Sequence, residues 1–142
     1  MNIKPIERDV DLEESFCVMK ELRPHLKDCA TYLEQIKQQH TQGYQLLAAW
    51  NNDVIVGLVG YRLQDNLLYG HFIYVDDLVV TSSLQRSGLG ERLLQAVREQ
   101  AIALHCAHLV LDTGLHMALA QRFYFRQGLL AKGMHFVEPL SQ

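Results

Sequence analysis

A six-residue stretch past the middle of the chain constrains the fold most, because it carries two glycines between a strand and a helix. Its residues are Gln85, Arg86, Ser87, Gly88, Leu89 and Gly90. The apolar run at 74–81 predicts the strand, and apolar side chains spaced by four at 89–104 predict the amphipathic helix. The first amides of a helix lack intrahelical partners and carry the positive end of its dipole. The sequence therefore predicts an anion site at the start of this helix.

The glycine spacing excludes the two best known phosphate-binding loops. A dinucleotide-binding loop needs a third glycine where Leu93 stands, and a P-loop would end in Gly-Lys-Ser or Gly-Lys-Thr, which the sequence lacks. The remaining pattern, Gln/Arg-x-x-Gly-x-Gly/Ala, resembles the turn with which the GCN5-related N-acetyltransferase (GNAT) superfamily holds the pyrophosphate of acetyl-CoA. An ordinary strand-to-helix loop with two glycines is the alternative explanation.

A second motif, about thirty residues downstream, agrees with this resemblance. Residues 108–112 predict a short buried strand, and a helix is predicted at 117–127. GNAT proteins carry an aromatic-Tyr-x-x-x-Gly-Phe segment in this helix, with alanine four residues before the tyrosine. The matching residues here are Ala120, Tyr124 and Gly128, with Leu129 in place of the last aromatic.

Tyr124 is the candidate general acid. The resemblance implies that its hydroxyl lies near the sulfur of CoA, and a phenol with a reference pKa of about 10 remains protonated at neutral pH. The alternative is a core tyrosine, packed between Phe123 and Phe125, whose hydroxyl bonds to an inert group.

The patterns along the chain fit the order β-α-α-β-β-β-α-β-α-β, and the resemblance implies a single GNAT domain spanning residues 1–142. This is an α/β (α+β) fold, the acyl-CoA N-acyltransferase fold, with a mixed, mostly antiparallel sheet flanked by about four helices. Its fourth and fifth strands splay apart. Beyond the elements already given, we predict helices at about 12–22 and 29–39, strands at 44–50, 54–62, 67–81 and 130–137, and a turn at 64–66.

The resemblance also implies how acetyl-CoA would be held. The amides of the glycine turn would take the pyrophosphate, with added charge from Arg86. The preceding strand bulges in the family, and the backbone of Leu78, Val79 and Val80 would bond the pantetheine, with the Val80 amide polarising the thioester carbonyl. Many members carry an asparagine after the fifth strand, where this sequence has none, and Thr113 would take its place. By composition alone, the three strand residues could belong to any buried strand.

Two adjacent aspartates are the candidates for a general base. Asp76 and Asp77 precede the segment that bulges in the family, on the strand that forms the floor of the amine site there. Adjacent strand residues point to opposite faces, so we expect at most one of them to face the cleft. We favour Asp76 and keep Asp77 as the alternative. Either carboxylate could instead be structural, satisfied by loop amides or an arginine.

Composition limits which partners, cellular location and metal sites we expect for the protein. The 142 residues carry a net charge of -3 and no basic stripe, so we expect no nucleic-acid partner. No apolar run has the length of a membrane span, and the charged start of the chain does not resemble a signal peptide, so we expect no membrane partner and a cytoplasmic location. Three scattered cysteines fit reduced thiols. His105 and His108 have no other ligand cluster nearby, so we expect no metal.

The resemblance implies an acetyl-CoA-dependent N-acetyltransferase. We expect direct attack by a primary amine, because no activated nucleophile for an acyl-enzyme is evident. The acceptor, a small molecule or a peptide, cannot be identified from the sequence, and a homodimer, common in the family, is left open. Two alternatives are a non-catalytic acyl-CoA binding or sensing module and an interaction protein that uses the fold without a cofactor.

Overall fold

Five strands form one sheet, in which every strand lies beside its neighbour in the chain. The computed structural model describes residues 1–141. All neighbouring strands are antiparallel except the last two, which are parallel, so the predicted mixed, mostly antiparallel sheet is confirmed. The elements are β1 (Asn2–Pro5), α1 (Asp9–Leu22), α2 (Cys29–His40), β2 (Tyr44–Asn51), β3 (Val54–Asn66), β4 (Gly70–Val80), a 3-10 turn (Ser82–Leu84), α3 (Leu89–Ala103), β5 (His108–Leu111) and α4 (Ala118–Arg126).

The chain divides into two compact units, Met1–Leu111 and Asp112–Gln142. The first contains the whole sheet with α1, α2 and α3, and the second contains α4. None of the helices within residues 1–141 is both long enough and apolar enough to cross a membrane.

Alternating side chains of the sheet build two apolar layers in the first unit. On β2, Leu46 and Ala48 pack with residues of α1 and α2, whereas Leu47 and Ala49 pack with residues of α3. The buried face of α3 consists of Leu89, Leu93, Leu94, Val97 and Ala101, which confirms the predicted four-residue spacing. Burying one such leucine contributes about 1.5–3 kcal/mol, so the start of α3 is firmly fixed on the sheet.

The turn between β3 and β4 lies three residues later than predicted. Residues 64–66, expected to form the turn, extend β3 and pair with the start of β4. The reversal instead occupies residues 67–69, where the Asn66 side chain accepts a hydrogen bond from the Tyr69 amide at 2.6 Å. Gly70, expected inside a strand, begins β4 with a φ of +70°, a conformation that glycine adopts without a steric penalty.

The predicted strand at 130–137 is absent from the structure, and that expectation is wrong. A strand needs a neighbour for its backbone hydrogen bonds, and residues 130–141 make no backbone hydrogen bond to any residue in the described range. Gly133, in the middle of the segment, further weakens its strand preference. In this segment, the side chain of His135 contacts Asp112, with 3.0 Å between His135 Nδ1 and Asp112 Oδ2.

Candidate functional site

A bulge in β4 brings the two adjacent aspartates to the same face of the sheet. Gly60 of β3 pairs with Asp77 and Tyr61 pairs with Val75, so Asp76 is an extra residue without a pairing partner on β3. The bulge reverses the alternation: Val75 packs with the α3 layer before it, and Val79 packs with the α1 and α2 layer after it. Both carboxylates therefore line one cavity, and the expectation that at most one would face it is wrong.

Asp76 is held by one oxygen only. Arg62 Nε donates to Asp76 Oδ2 at 3.1 Å, while Oδ1 has no hydrogen-bond partner among residues 1–141. The side chain is 21% exposed, so the free oxygen reaches the cavity from a half-buried position. Burial raises the pKa of the Asp76 carboxyl above its ordinary value, and the Arg62 charge acts in the opposite direction. Such a carboxylate can still accept a proton from a ligand.

Asp77 uses both of its oxygens for protein contacts. Arg23, at the end of α1, donates from Nε to Asp77 Oδ1 at 3.0 Å, and its Nη2 lies 2.9 Å from the same oxygen. The Tyr44 hydroxyl donates to Asp77 Oδ2 at 2.8 Å. Arg23 Nη2 also donates to the backbone oxygen of Asp76 at 2.9 Å. Asp77 thus anchors α1 and β2 to the bulge.

The bond from Tyr44 to Asp77 depends on a glycine in the neighbouring strand. Tyr44 is almost fully buried, and a Cβ atom added at Gly60 would overlap its hydroxyl and ring. Burial, followed by the charge of Asp77, raises the pKa of Tyr44 well above its ordinary value, so the phenol remains a neutral donor.

The cavity beside the aspartates has a volume of about 690 Å³ and lies among α1, α2, β3 and β4. Its charged lining consists of Asp76, Asp77, Glu34, Arg23 and Arg62, with His25 nearby. Both arginines are paired with aspartates, whereas Glu34 makes no ion pair in the described part of the chain. A net negative charge remains when His25 is neutral, which favours a cationic ligand and disfavours an anionic one. The volume suits a small molecule.

Tyr32 also lines the cavity but has its hydroxyl engaged. Ser15 Oγ donates to the Leu12 carbonyl at 2.6 Å, so the hydrogen in the 2.7 Å contact between Ser15 and Tyr32 comes from the Tyr32 hydroxyl. Burial raises the pKa of Tyr32 to about 12. Tyr32 is therefore a structural phenol, whereas Asp76 is a half-buried carboxylate with one oxygen open to the same cavity.

The glycine turn presents a row of free amides. Arg86 and Gly88 both have positive φ values, +67° and +86°, and α3 starts at Leu89 without a side-chain cap. The first bond of the helix runs from the Arg92 amide to the Gly88 carbonyl at 3.2 Å. The amides of residues 86–91 make no hydrogen bond to any other residue in the described range. Six free N–H donors thus lie at the positive end of a fifteen-residue helix, which makes residues 86–91 the candidate anion-binding turn.

The end of β4 has one open edge. The Thr81 amide donates to Val56 of β3 at 2.9 Å, so alternation directs the backbone groups of Val79 toward β3 and those of Leu78 and Val80 away from it. On the far side, β5 pairs with β4 over Phe72–Val75, and no strand within residues 1–141 pairs with that side of Leu78 or Val80. The Gln85 side chain reaches the Val80 carbonyl at 3.4 Å. The amide and carbonyl of Leu78 and the amide of Val80 are thus available to an extended ligand.

Comparison with known proteins assigns the chain to a family. The Acetyltransferase (GNAT) family matches residues 10–129, most of the chain. The chain belongs to this family. No curated protein matches this GNAT chain closely enough to count as a relative.

Solved structures share the fold of this GNAT protein at low sequence identity. A transcriptional regulator from Bacillus halodurans C-125 matches with a TM-score of 0.86 and 20% identity, covering 98% of this chain and 99% of the other. The aminoglycoside antibiotic 6'-N-acetyltransferase AAC(6')-IG from Acinetobacter haemolyticus matches with a TM-score of 0.82, 16% identity and coverages of 99% and 100%. AAC(6')-Iy, in complex with the bisubstrate analog CoA-S-monomethyl-acetylneamine, matches with a TM-score of 0.83, 16% identity and coverages of 99% and 98%.

Two predicted site residues of the GNAT resemblance, Tyr124 and Thr113, lie in the second unit. Tyr124 is partly buried on α4, where its ring centroid lies 5.3 Å from that of Phe123 and its carbonyl accepts a hydrogen bond from Leu129 at 3.1 Å. Gly128 ends this helix with a φ of +89°, as the motif predicts. Thr113 is partly buried in the loop before α4. The roles of both residues stay predictions.

Sequence reasoning missed the arginines that hold the aspartates. The strand predicted at 54–62 ends at Arg62 without giving it a role, and Arg23 lies outside the predicted elements. The available signal was the Asp76–Asp77 pair itself, because two adjacent carboxylates within an apolar strand require cationic partners when they are buried. No group of three or more histidine, cysteine, aspartate or glutamate side chains within residues 1–141 could hold a metal ion.

Proposed function

We propose that this GNAT protein is an acetyl-CoA-dependent N-acetyltransferase that acetylates a cationic primary amine by direct attack. The observation that carries the proposal is that β4 links a carboxylate cavity to an anion-binding turn. From Asp76 to Val80 the strand advances roughly 13 Å, at about 3.3 Å per residue, and the glycine turn comes after Thr81 and the 3-10 turn Ser82–Leu84. The proposed amine site, the open strand edge and the proposed phosphate site would therefore follow one another along β4 and the segment that leads to α3.

The residues present fit acetyl-CoA. The pyrophosphate would bind the free amides of residues 86–91, with Arg86 as a further cation and Gln85, Ser87 and Leu89 as parts of the same turn. The pantetheine arm would bond the open edge at Leu78 and Val80, as an added strand does. Bound there, acetyl-CoA supplies an acetyl thioester as the acyl donor. The Val80 amide is the donor available to stabilise negative charge on the carbonyl oxygen.

Asp76 would make the amine reactive. An alkyl ammonium with a pKa of about 10.4 is neutral in less than about one molecule in a thousand at pH 7, a penalty of more than about 4 kcal/mol. The free Oδ1 of Asp76 can accept the proton either directly or through one water molecule. Its second oxygen remains on Arg62, so the carboxylate keeps its orientation while it does so.

The charge of the cavity limits the acceptor to cationic amines. Both guanidinium groups are neutralised by the aspartates, so an acceptor carboxylate would find no free cation among the charged lining residues and would face Glu34 and Asp76. A second amino or hydroxyl group of the acceptor would be compatible with Glu34 and the neighbouring glutamines Gln35 and Gln38. That AAC(6')-IG is named as an aminoglycoside acetyltransferase is compatible with this class of acceptor.

Tyr124→Phe is expected to lower kcat about tenfold while the Kd for acetyl-CoA stays unchanged. The phenol would protonate the departing thiolate, and a thiol with a reference pKa of about 8.5 is a leaving group that gains only modestly from a proton. Steady-state kinetics and calorimetry of acetyl-CoA binding would measure the two quantities. Undiminished turnover in this variant would remove Tyr124 from the mechanism.

Gly88→Ala is expected to weaken acetyl-CoA binding by about 5- to 30-fold. Alanine at a left-handed φ costs roughly 1–2 kcal/mol, so the turn would favour conformations other than the one that presents its amides. Gly43→Ala is the matched control, because Gly43 has a φ of +91° and, like Gly88, has open space where an added Cβ would lie. Both variants should lose similar stability. Equal Kd values for acetyl-CoA in the two variants would show that the turn does not bind the cofactor.

The proposed activity is tested by amine-dependent release of CoA thiol from acetyl-CoA. A panel should contain diamines, hydroxylated amines, monoamines and amino acids, each at several concentrations. We expect cationic amines to be acetylated and amino acids with a free carboxylate to be poor acceptors. Tight binding of acetyl-CoA with no turnover of any amine would instead indicate an acyl-CoA binding or sensing module, and failure to bind CoA would indicate an interaction protein.

A further inference from the structure

We propose that Arg62 is a positioning residue, which holds Asp76 with one oxygen facing the cavity and keeps that carboxylate ionised for proton transfer. This inference rests on the proposed function of Asp76 as the base. Arg62 lies on β3, across the bulge from Asp76, and is 18% exposed. It touches neither the free oxygen of Asp76 nor the anion-binding turn in any described contact, so it would act through Asp76.

The guanidinium group of Arg62 is fixed in all three directions. Nε donates to Asp76 at 3.1 Å, Nη1 donates to Gln42 at 3.1 Å and Nη2 donates to Gln39 at 2.9 Å. The guanidinium carbon also lies 5.6 Å from the ring centroid of Tyr44. A planar group with three separate acceptors cannot rotate without losing a bond, so the Asp76 oxygen that it holds is fixed as well.

The other arginine of the cavity cannot replace Arg62. Arg23 donates to the Asp76 backbone and to the side chain of Asp77, and its own side chain is 44% exposed. Water therefore screens its charge more strongly. Loss of Arg62 would leave the Asp76 carboxylate without a hydrogen-bond donor, and the carboxylate could then turn its free oxygen away from the acceptor.

Opposing charges act on Asp76 from every side of the cavity. Arg62 on β3 and Arg23 after α1 favour its ionised form, whereas Asp77 beside it disfavours that form, and Glu34 on α2 and His25 line the same cavity. Burial already raises the pKa of Asp76. Removing the nearest cation should raise that pKa further, so that Asp76 becomes ionised only at a higher pH.

The direct test follows the titration of Asp76 by NMR of a protein with 13C-labelled aspartate carboxyl groups. The Asp76→Asn variant identifies the resonance. In Arg62→Gln we expect the titration to move to higher pH, by more than in the matched variant Arg23→Gln, and in Arg62→Lys we expect most of the shift to be reversed. An unshifted titration in Arg62→Gln, or a larger shift in Arg23→Gln, would overturn the proposal.

Kinetics separate the charge of Arg62 from its orienting bonds. The acidic limb of the kcat/KM profile should move to higher pH in Arg62→Gln but stay in place in the double variant Gln39→Ala/Gln42→Ala, which keeps the ion pair. The double variant should lower only the plateau of this kcat/KM profile. Without Gln39 and Gln42 the guanidinium can turn, so it no longer holds Asp76 in one orientation. A limb that does not move in folded Arg62→Gln would contradict the proposal. Should the chain acetylate no amine at all, the proposed function would fail, whereas the NMR titration would still decide the effect of Arg62 on Asp76.

Discussion

Asp76→Asn is expected to lower kcat/KM for amine acetylation by about 10²- to 10⁴-fold, the usual contribution of a general base. Asparagine keeps the size of the side chain and can still accept a bond from Arg62, but it cannot take a proton from an ammonium group. Acetyl-CoA binding should be unchanged, because the anion-binding turn and the open edge of β4 are separate from this side chain. Steady-state kinetics with varied amine at saturating acetyl-CoA and calorimetry with acetyl-CoA measure the two effects.

Asp77→Asn is the matched control for that experiment. Both oxygens of Asp77 accept hydrogen bonds from Arg23 and Tyr44. The loss of this carboxylate should therefore appear mainly as a loss of stability. Hydrogen bonds to charged groups contribute about 1.5–3 kcal/mol, and a decrease of this order in the free energy of unfolding is expected. A folded Asp77→Asn protein with a larger loss of kcat/KM than Asp76→Asn would reverse the roles of the two aspartates.

The pH dependence of the reaction should reflect the ionisation of Asp76. Because burial raises the pKa of Asp76, its basic form is lost at a higher pH than that of an exposed aspartate as the solution is acidified. The acidic limb of kcat/KM should therefore lie above the ordinary range of aspartate. The limb should disappear from the residual activity of Asp76→Asn.

Gly60→Ala is expected to be the most destabilising small substitution in the first unit. The added Cβ would overlap the hydroxyl and ring of Tyr44, which is almost fully buried and would have to leave its position in the core. Displacing a buried aromatic side chain costs about 3 kcal/mol or more, which corresponds to roughly 6–12 °C in Tm for a chain of this size. The bond from Tyr44 to Asp77 would be lost as well, so kcat should also decrease.

A double-mutant cycle identifies the cause. In a Tyr44→Ala background the space beside Gly60 is open, so adding Gly60→Ala should cost less than about 1 kcal/mol. Thermal and urea unfolding of the four proteins would give the free energies. Additive losses would show that the collision with Tyr44 is not the reason why glycine is needed at position 60.

The features that depend on local periodicity could be predicted from the sequence. The buried spacing of α3, the glycines before it and the successive strands predicted at 44–50 and 54–62 are dictated by neighbouring residues, and the structure confirms them. The order of elements, except for the last strand, is confirmed for the same reason. The family resemblance added the proposed role of the turn in binding a pyrophosphate, which periodicity alone does not indicate.

The features that depend on contacts distant in sequence could not be predicted. The alternation rule assumes one residue per pairing position, and the bulge at Asp76 breaks it because Arg62 and Arg23 draw two adjacent carboxylates to one face. The segment at 130–137 has strand-forming residues, but composition cannot supply the neighbouring strand that it needs. The position of the β3–β4 turn could not be predicted either. The hydrogen bond from the Tyr69 amide to the Asn66 side chain stabilises a turn at residues 67–69 rather than the predicted one at 64–66.

Transfer of a labelled acetyl group tests the central claim most directly. The protein would be incubated with 13C-carbonyl acetyl-CoA and a cationic primary amine and followed by NMR. The proposed mechanism predicts that the carbonyl signal moves from thioester to amide, with one free CoA thiol for each amide formed, and that Asp76→Asn slows this conversion at least about 10²-fold. A signal that remains on the thioester, in a protein saturated with acetyl-CoA and supplied with every amine of the panel, would contradict it.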